Sequence, residues 1–322
     1  MFTRHDVWSM ITKNGDDIVI ATHSAPDGDA LGSAFALAAA LELAGKRPVV
    51  ALDKYSEKFN FLDGRRFVHD GETSDLPCDV LITVDCGSKE RVSGVCGLFE
   101  KAKTTVNIDH HINNTNFARH NYVDGGASST CEMIFDIINM YVPINKTIAE
   151  ALYMGILTDT GGLRFASTSL HTMEVVMMLM RTGVDFTDIQ RRVIYGRSKA
   201  EVSIFAKALQ NIQFLDDYPI AYTSITQDEL KQAGANYTDL DGISQYLLNI
   251  EGMTAGVLFV QRVSGQIRAS MRSNASDVGE IALKLGGGGH KFAAAALLEP
   301  GVGMDEAITQ VLTALKAAFD KL

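Results

Sequence analysis

Four short clusters of acidic and imidazole side chains could do metal chemistry in this 322-residue chain. They are His23 with Asp27 and Asp29, then Asp85, then Asp109-His110-His111, and then Asp159. Carboxylates and neutral imidazoles suit borderline and hard divalent cations. The number of such donors suggests two ions rather than one. Asp27-Gly28-Asp29 alone would read as a surface turn, Asp85 alone as a helix cap, and a lone histidine pair as structural. Taken together they require several separate coincidences at equivalent ends of elements.

The elements that must position them are legible. Ile18-Val19-Ile20-Ala21-Thr22 leads into His23, Val80-Leu81-Ile82-Thr83-Val84 into Asp85, and Thr105-Val106-Asn107-Ile108 into Asp109. Such apolar runs bounded by turn residues read as buried strands. The clusters therefore fall at carboxyl ends of strands, where open α/β sheets bind ligands. A helix is expected from Ala30 to about Ala44 with Asp29 as N-cap and Gly45 as its stop. Pro48–Leu52 reads as a further strand. Thr147 and Glu150 form a capping-box pattern for a helix that delivers Asp159 near its end. Met173–Met180 reads as a packed helix ended by Gly183. Strands separated by helix-length segments imply a doubly wound, mainly parallel α/β sheet.

Ile189–Leu209 suits a connecting helix. The domain reading is 1–185, a helical linker at 186–205, and a smaller α/β domain at 206–322. In the last, strands are expected near 211–225, 254–262, 265–271 and 292–299, with an amphipathic helix at 304–320. Arg268, Ser270 and Arg272 alternate in phase and so share one strand face, where a guanidinium can fork onto phosphate. A helix over 277–285 ends at Gly286-Gly287-Gly288-Gly289. Glycines at a helix C-terminus face the wrong dipole end for an anion, so this is not a P-loop. Phosphate or base binding by Gly287, Gly288 and Gly289 would use backbone N–H groups, with His290 beside them.

Composition limits the partners. The net charge is -10 with 46% hydrophobic and 21% charged residues, which fits a packed core and argues against a broad duplex-binding face. Cys78, Cys86, Cys96 and Cys131 show no CxxC pair, so neither a zinc ribbon nor a disulfide framework is indicated. Residues 1–6 lack a signal-peptide core and no uncharged stretch reaches spanning length. The expectation is a cytoplasmic protein with no membrane association.

Residues 23–33 (HSAPDGDALGS), 82–87 (ITVDCG), 108–111 (IDHH), 127–130 (ASST) and 158–165 (TDTGGLRF) resemble the DHH phosphoesterase family. Residues 270–273 (SMRS) and 286–290 (GGGGH) resemble its associated C-terminal substrate domain. Within the family the chain is similar to the stand-alone nanoRNase and 3'-phosphoadenosine 5'-phosphate phosphatase group. The resemblance implies two Mn²⁺ ions, with Mg²⁺ or Co²⁺ as substitutes. One would be held by His23, Asp27 and Asp85, the other by Asp29, Asp85, His110 and Asp159, with Asp85 bridging. Asp85, Asp109 and His111 would serve the chemistry, Asp109 by orienting an imidazole and His111 by contacting phosphate. Arg268, Ser270, Arg272, the glycines 287–289 and His290 would bind substrate. The stretch HKFAAAA departs from the family pattern at Phe292 and Ala295, which bears on the shape of a base pocket.

The expected function is hydrolysis of short single-stranded RNAs to mononucleotides, and of 3'-phosphoadenosine 5'-phosphate to AMP. The alternative is a phosphodiesterase for cyclic di-AMP or linear pApA. A non-catalytic nucleotide-binding module is disfavoured because every presumed ligand is present. A homodimer is the expected assembly if one forms.

Overall fold

A computed structural model describes residues 3–95 and 97–321. Cys96 lies outside the described residues; Cys78, Cys86 and Cys131 are free thiols, the last two buried. The chain divides into two units, Met1–Gly196 and Arg197–Leu322.

In the first unit, α1 is Arg4–Lys13, β1 Asp17–Ala21, α2 Gly28–Leu43, β2 Arg47–Ala51, β3 Val80–Val84, α3 Leu98–Lys101, β4 Thr104–Asp109 and β5 His120–Val123. There follow α4 Thr130–Ile138, α5 Lys146–Asp159, α6 Leu170–Met180 and α7 Phe186–Gln190. The five strands form an all-parallel sheet in the order β2-β1-β3-β4-β5. Successive side chains alternate between its faces. Ile18, Ile20, Val80, Ile82, Val106 and Ile108 enter the large core built with α2, α4 and α5. Val19, Ala21 and Leu81 enter a smaller core with Val95, Leu98 and Ala102. Burial on both faces explains why the strands read as unbroken apolar runs. The chain leaves β1 for β2 on one side and resumes with β3 on the other. The crevice at the carboxyl ends of β1 and β3 is thus the topological switch point.

Several local expectations are corrected. The N-cap of α2 is Asp27, whose side chain accepts from the Asp29 and Ala30 amides at 3.0 and 3.1 Å; Asp29 lies in the first turn. Gly28 opens this helix rather than bending a turn, and a Cβ there would come within 2.4 Å of the Thr158 hydroxyl oxygen. The cap of α5 is Asn145, accepting from the Ile148 amide, in place of Thr147. In α6 the packed face is Thr172, Val175, Val176 and Leu179, while Met173, Met177, Met178 and Met180 are exposed. Thr172 earns its place there by a hydrogen bond to Glu132. The expected single helix over 189–209 is two: α7 runs into a π-helical turn, Arg191–Tyr195, and a Ser198–Glu201 capping box starts a new helix.

That helix, α8 (Lys199–Gln210), opens the second unit, followed by β6 Gln213–Phe214, β7 Ile220–Ile225, α9 Gln227–Ala233, α10 Ile243–Leu248, β8 Ala255–Gln261 and β9 Ile267–Ser273. Then come α11 Val278–Lys284, β10 Gly288–His290, β11 Ala293–Leu297 and α12 Met304–Phe319. The sheet is mixed, in the order β10-β11-β9-β8-β7-β6, with only β7 and β8 parallel. The single long strand expected at 211–225 is a hairpin, broken at Asp216-Asp217-Tyr218-Pro219. Gly286, at φ +75°, stops α11, and from Gly288 the chain forms the edge strand β10. No helix among the described residues is long and apolar enough to cross a membrane.

The helices α2 and α5 pack closely because glycine lines their contact. A Cβ at Gly32 would lie 2.4 Å from the Ala151 carbonyl oxygen and 2.9 Å from Cys131 Sγ. Gly32→Ala gains helix propensity worth about 0.8–1 kcal/mol. Overpacking against a backbone oxygen costs about 1–3 kcal/mol, so net destabilisation is expected. Denaturant unfolding should show a lower midpoint for Gly32→Ala than for the parent.

Candidate metal centre

The three motif-bearing strand ends and the end of α5 bring their donors together. Three overlapping groups form, His23 with Asp27 and Asp85, Asp29 with His110 and Asp159, and Asp85 with His110 and His111, with the donor atoms of each group within 4.8 Å of one another. Asp85 belongs to two of them. Its Oδ2 lies 3.8 Å from His23 Nε2 and its Oδ1 3.6 Å from His110 Nε2. Asp85 also has φ +54°, a left-handed conformation that Asp tolerates better than most residues. This is local strain at the end of β3.

Both imidazoles present Nε2. His23 Nδ1 donates to the Ser24 carbonyl at 2.8 Å, and His110 Nδ1 to that of Ala127 at 3.4 Å. A carbonyl only accepts, so Nδ1 carries a proton and Nε2 is the ring atom that faces the carboxylates. His110 Nε2 lies 3.3 Å from Asp159 and 3.9 Å from Asp29. An imidazole Nε2 facing carboxylate oxygens across these gaps, with Nδ1 held by a carbonyl, is an arrangement a cation can hold together.

The carboxylates are otherwise poorly compensated. Asp29 is fully buried and Asp85 is 2% exposed. Among the described residues, no Lys or Arg pairs with Asp27, Asp29, Asp85 or Asp159. Burial, then the charges of Asp85 and Asp159, push the Asp29 carboxyl well above its usual range. Burial and Asp27 push Asp85 up to about 6, against the histidines. Burial also raises Asp159. Buried like charges disfavour ionisation, and a divalent cation would restore it. The donor set thus fits metal.

Residues without an assigned role in the sequence complete the frame. The Thr130 and Cys131 amides, at the N-terminus of α4, donate to Asp29 at 2.6 and 2.9 Å. The Thr130 hydroxyl donates to Asp85 at 3.1 Å. Ser129 caps this helix, and buried Glu132 accepts from Ser128 and Thr172. The motif ASST signalled this segment, but not which carboxylate its amides would meet.

Asp109 is fully buried and accepts from His111 Nδ1 at 2.7 Å and from the Asn114 amide. Burial opposes its ionisation, yet these two hydrogen bonds hold its carboxyl below the usual range. The same bond raises His111.

The second unit carries a cavity of about 360 Å³ lined by Arg268, Ser270, Arg272, Gly288, Gly289 and His290. Arg268, Ser270 and Arg272 occupy one face of β9, while Ile267, Ala269 and Met271 fill the core behind it. Gly287 is not among the lining residues; a Cβ there would come within 2.2 Å of the Ala295 oxygen, so its role is close passage of chain. Tyr237, Asp241 and Ser244 also line the cavity, and no sequence pattern marked them. Desolvation lowers the Arg272 guanidinium, opposed by Asp241.

Comparison with known proteins places this geometry. The model of the DHH family, N-terminal domain, matches residues 17–156, and that of the DHHA1 domain matches 217–321. The chain is 32% identical over 301 residues to the bifunctional oligoribonuclease and PAP phosphatase NrnA of Thermus thermophilus, covering 93% of this chain and 89% of that one. A probable protein of the same name from Streptococcus mutans is 27% identical, with 87% and 89% covered. The crystal structure of an exopolyphosphatase-related protein from Bacteroides fragilis superposes with a TM-score of 0.87 at 25% identity, over 98% of this chain and 96% of that one. The chain therefore belongs to the DHH family, as a phosphoesterase acting on ester bonds with a DHHA1 domain in its second unit.

Proposed function

We propose that this protein is a two-metal phosphodiesterase that hydrolyses short oligoribonucleotides to mononucleotides and removes the 3'-phosphate of 3'-phosphoadenosine 5'-phosphate. The observation that carries the metal reading is Asp85, whose two oxygens face two separate ligand groups. His23, Asp27 and Asp85 would hold one Mn²⁺, and Asp29, Asp85, His110 and Asp159 the other. Two such ions, when bound, supply Lewis-acid charge to a phosphoryl group and make water nucleophilic near neutral pH. The protein's own groups position the rest. His111 Nδ1 is committed to Asp109, so Nε2 is the ring atom left to meet a phosphate oxygen or the departing ribose oxygen. Arg268 and Arg272 would take a terminal phosphate in charge-assisted bonds, with Ser270 between them.

The substrate reading is supported by the named activities of the Thermus and Streptococcus relatives. The net charge of -10 favours short anions, because long polyanions are repelled by such a surface. Nothing in the donor geometry favours a cyclic over a linear dinucleotide.

Product analysis with Mn²⁺ should offer an RNA 3-mer, 3'-phosphoadenosine 5'-phosphate, pApA and cyclic di-AMP in parallel. Rapid release of mononucleotides and AMP from the linear substrates is expected, with cyclic di-AMP nearly inert. Preferential opening of cyclic di-AMP would sink the substrate reading and leave the metal site standing. Rates should fall with RNA length; equal turnover of a 5-mer and a 50-mer would contradict this. Asp85→Ala is expected to abolish turnover and reduce bound Mn²⁺ in equilibrium dialysis, whereas full occupancy would refute the bridging role. For Arg272→Ala, loss of a charge-assisted bond worth about 1.5–3 kcal/mol should raise KM tenfold or more and leave Mn²⁺ binding intact.

A further inference from the structure

Asn107 is fully buried near the end of β4, where an amide side chain is disfavoured unless its polar atoms are satisfied. Its Nδ2 donates to Thr83 Oγ1 at 2.9 Å and to the Cys86 carbonyl at 3.1 Å, tying β4 to β3 and to the turn after Asp85. Its Oδ1 accepts from Asn114 Nδ2 at 2.8 Å. Asn114 Nδ2 donates in addition to Asp109 Oδ2, while Asp109 Oδ1 is the atom that holds His111. Asn114 Oδ1 accepts from the Asn116 amide at 2.7 Å, which fixes the side chain in its own turn.

We infer that Asn114 is a positioning residue: braced by Asn107, it locks the free oxygen of Asp109 so that the other oxygen keeps His111 oriented and protonated at Nδ1. A carboxylate held at one oxygen only can rotate, and the imidazole would follow it. Clamped at both, it fixes ring orientation and tautomer together, leaving Nε2 to face substrate. Through Asn107 the clamp ties the loop that carries His110, His111 and Asn114 to two central strands of the sheet. The inference rests on the proposal that His111 contacts the reacting phosphate.

Two variants separate this role from simple support of the loop. Asn114→Asp keeps the acceptor for the Asn116 amide and replaces the NH₂ donor by an oxygen; Asn114→Ala removes both. Both leave the buried Asn107 Oδ1 without its donor, so a lower thermal midpoint is expected from either, while the folded protein should bind Mn²⁺ with unchanged stoichiometry. Both should lose kcat by about 10–100-fold, the usual cost of removing such a partner, with KM little changed. In a His111→Ala background either substitution should cost less than about twofold, because residues acting as a unit are non-additive. An equal loss in that background, or loss of Mn²⁺, would overturn the inference. Nitrogen-15 spectra of the imidazoles in metal-free protein give a reading independent of turnover. At alkaline pH, where the ring is neutral, His111 should be a single Nδ1–H tautomer in the parent and averaged in Asn114→Ala; an unchanged spectrum would overturn the inference. If the parent hydrolyses no nucleotide at all, the proposed function fails, and these spectra still decide the role of Asn114.

Discussion

The structure of the first unit depends on gathering carboxylates at the carboxyl ends of the strands of its sheet. Asp29, Asp85 and Asp159 converge with Asp27 around two histidines, and no Lys or Arg among the described residues pairs with them. Such an arrangement opposes folding unless something positive occupies it. The fold supplies part of the compensation through peptide dipoles: the first amides of α4 close on Asp29, and those of α2 on Asp27. The rest is left to a ligand. Stability is therefore linked to whatever binds the folded but not the unfolded chain.

Around that centre, rigidity comes from the sheet and from glycine. Because β1 and β3 are neighbours that diverge in connectivity, their ends leave a crevice instead of a loop crossing it. Glycines on α2 let α5 come close enough to present Asp159 to His110. The imidazoles are fixed by backbone carbonyls or by Asp109, and none relies on a flexible side chain.

Much of this was legible because burial on both faces of a parallel sheet writes itself as apolar runs, and each run ended on a candidate ligand. The sequence could not reveal which of Asp27 and Asp29 caps α2, since both are good caps. The deciding factor is tertiary: the amides of α4, a hundred residues away, claim Asp29. The same limit hid Asn145 behind a plausible Thr147–Glu150 pattern. The methionines of α6 misled because hydrophobicity was read as burial, whereas Thr172 is buried through Glu132. Asn107 and Asn114 carried no signal, because their purpose exists only once β3 and β4 lie side by side. Tyr237, Asp241 and Ser244 were silent for a similar reason: they come from a short 3₁₀ helix, Tyr237–Leu240, from the residue that ends it, and from the start of α10.

The register of the second sheet has a consequence for selectivity. Across from Arg272, Ser270 and Arg268 on β9 stand Ala293, Ala295 and Leu297 of β11. Ala293 and Ala295 line the cavity beside the guanidiniums with nothing larger than methyl groups. If the arginines take a phosphate as proposed, the room left by these two small side chains bounds the width of whatever the phosphate carries, and larger residues at 293 and 295 would narrow that choice while the same arginines remain.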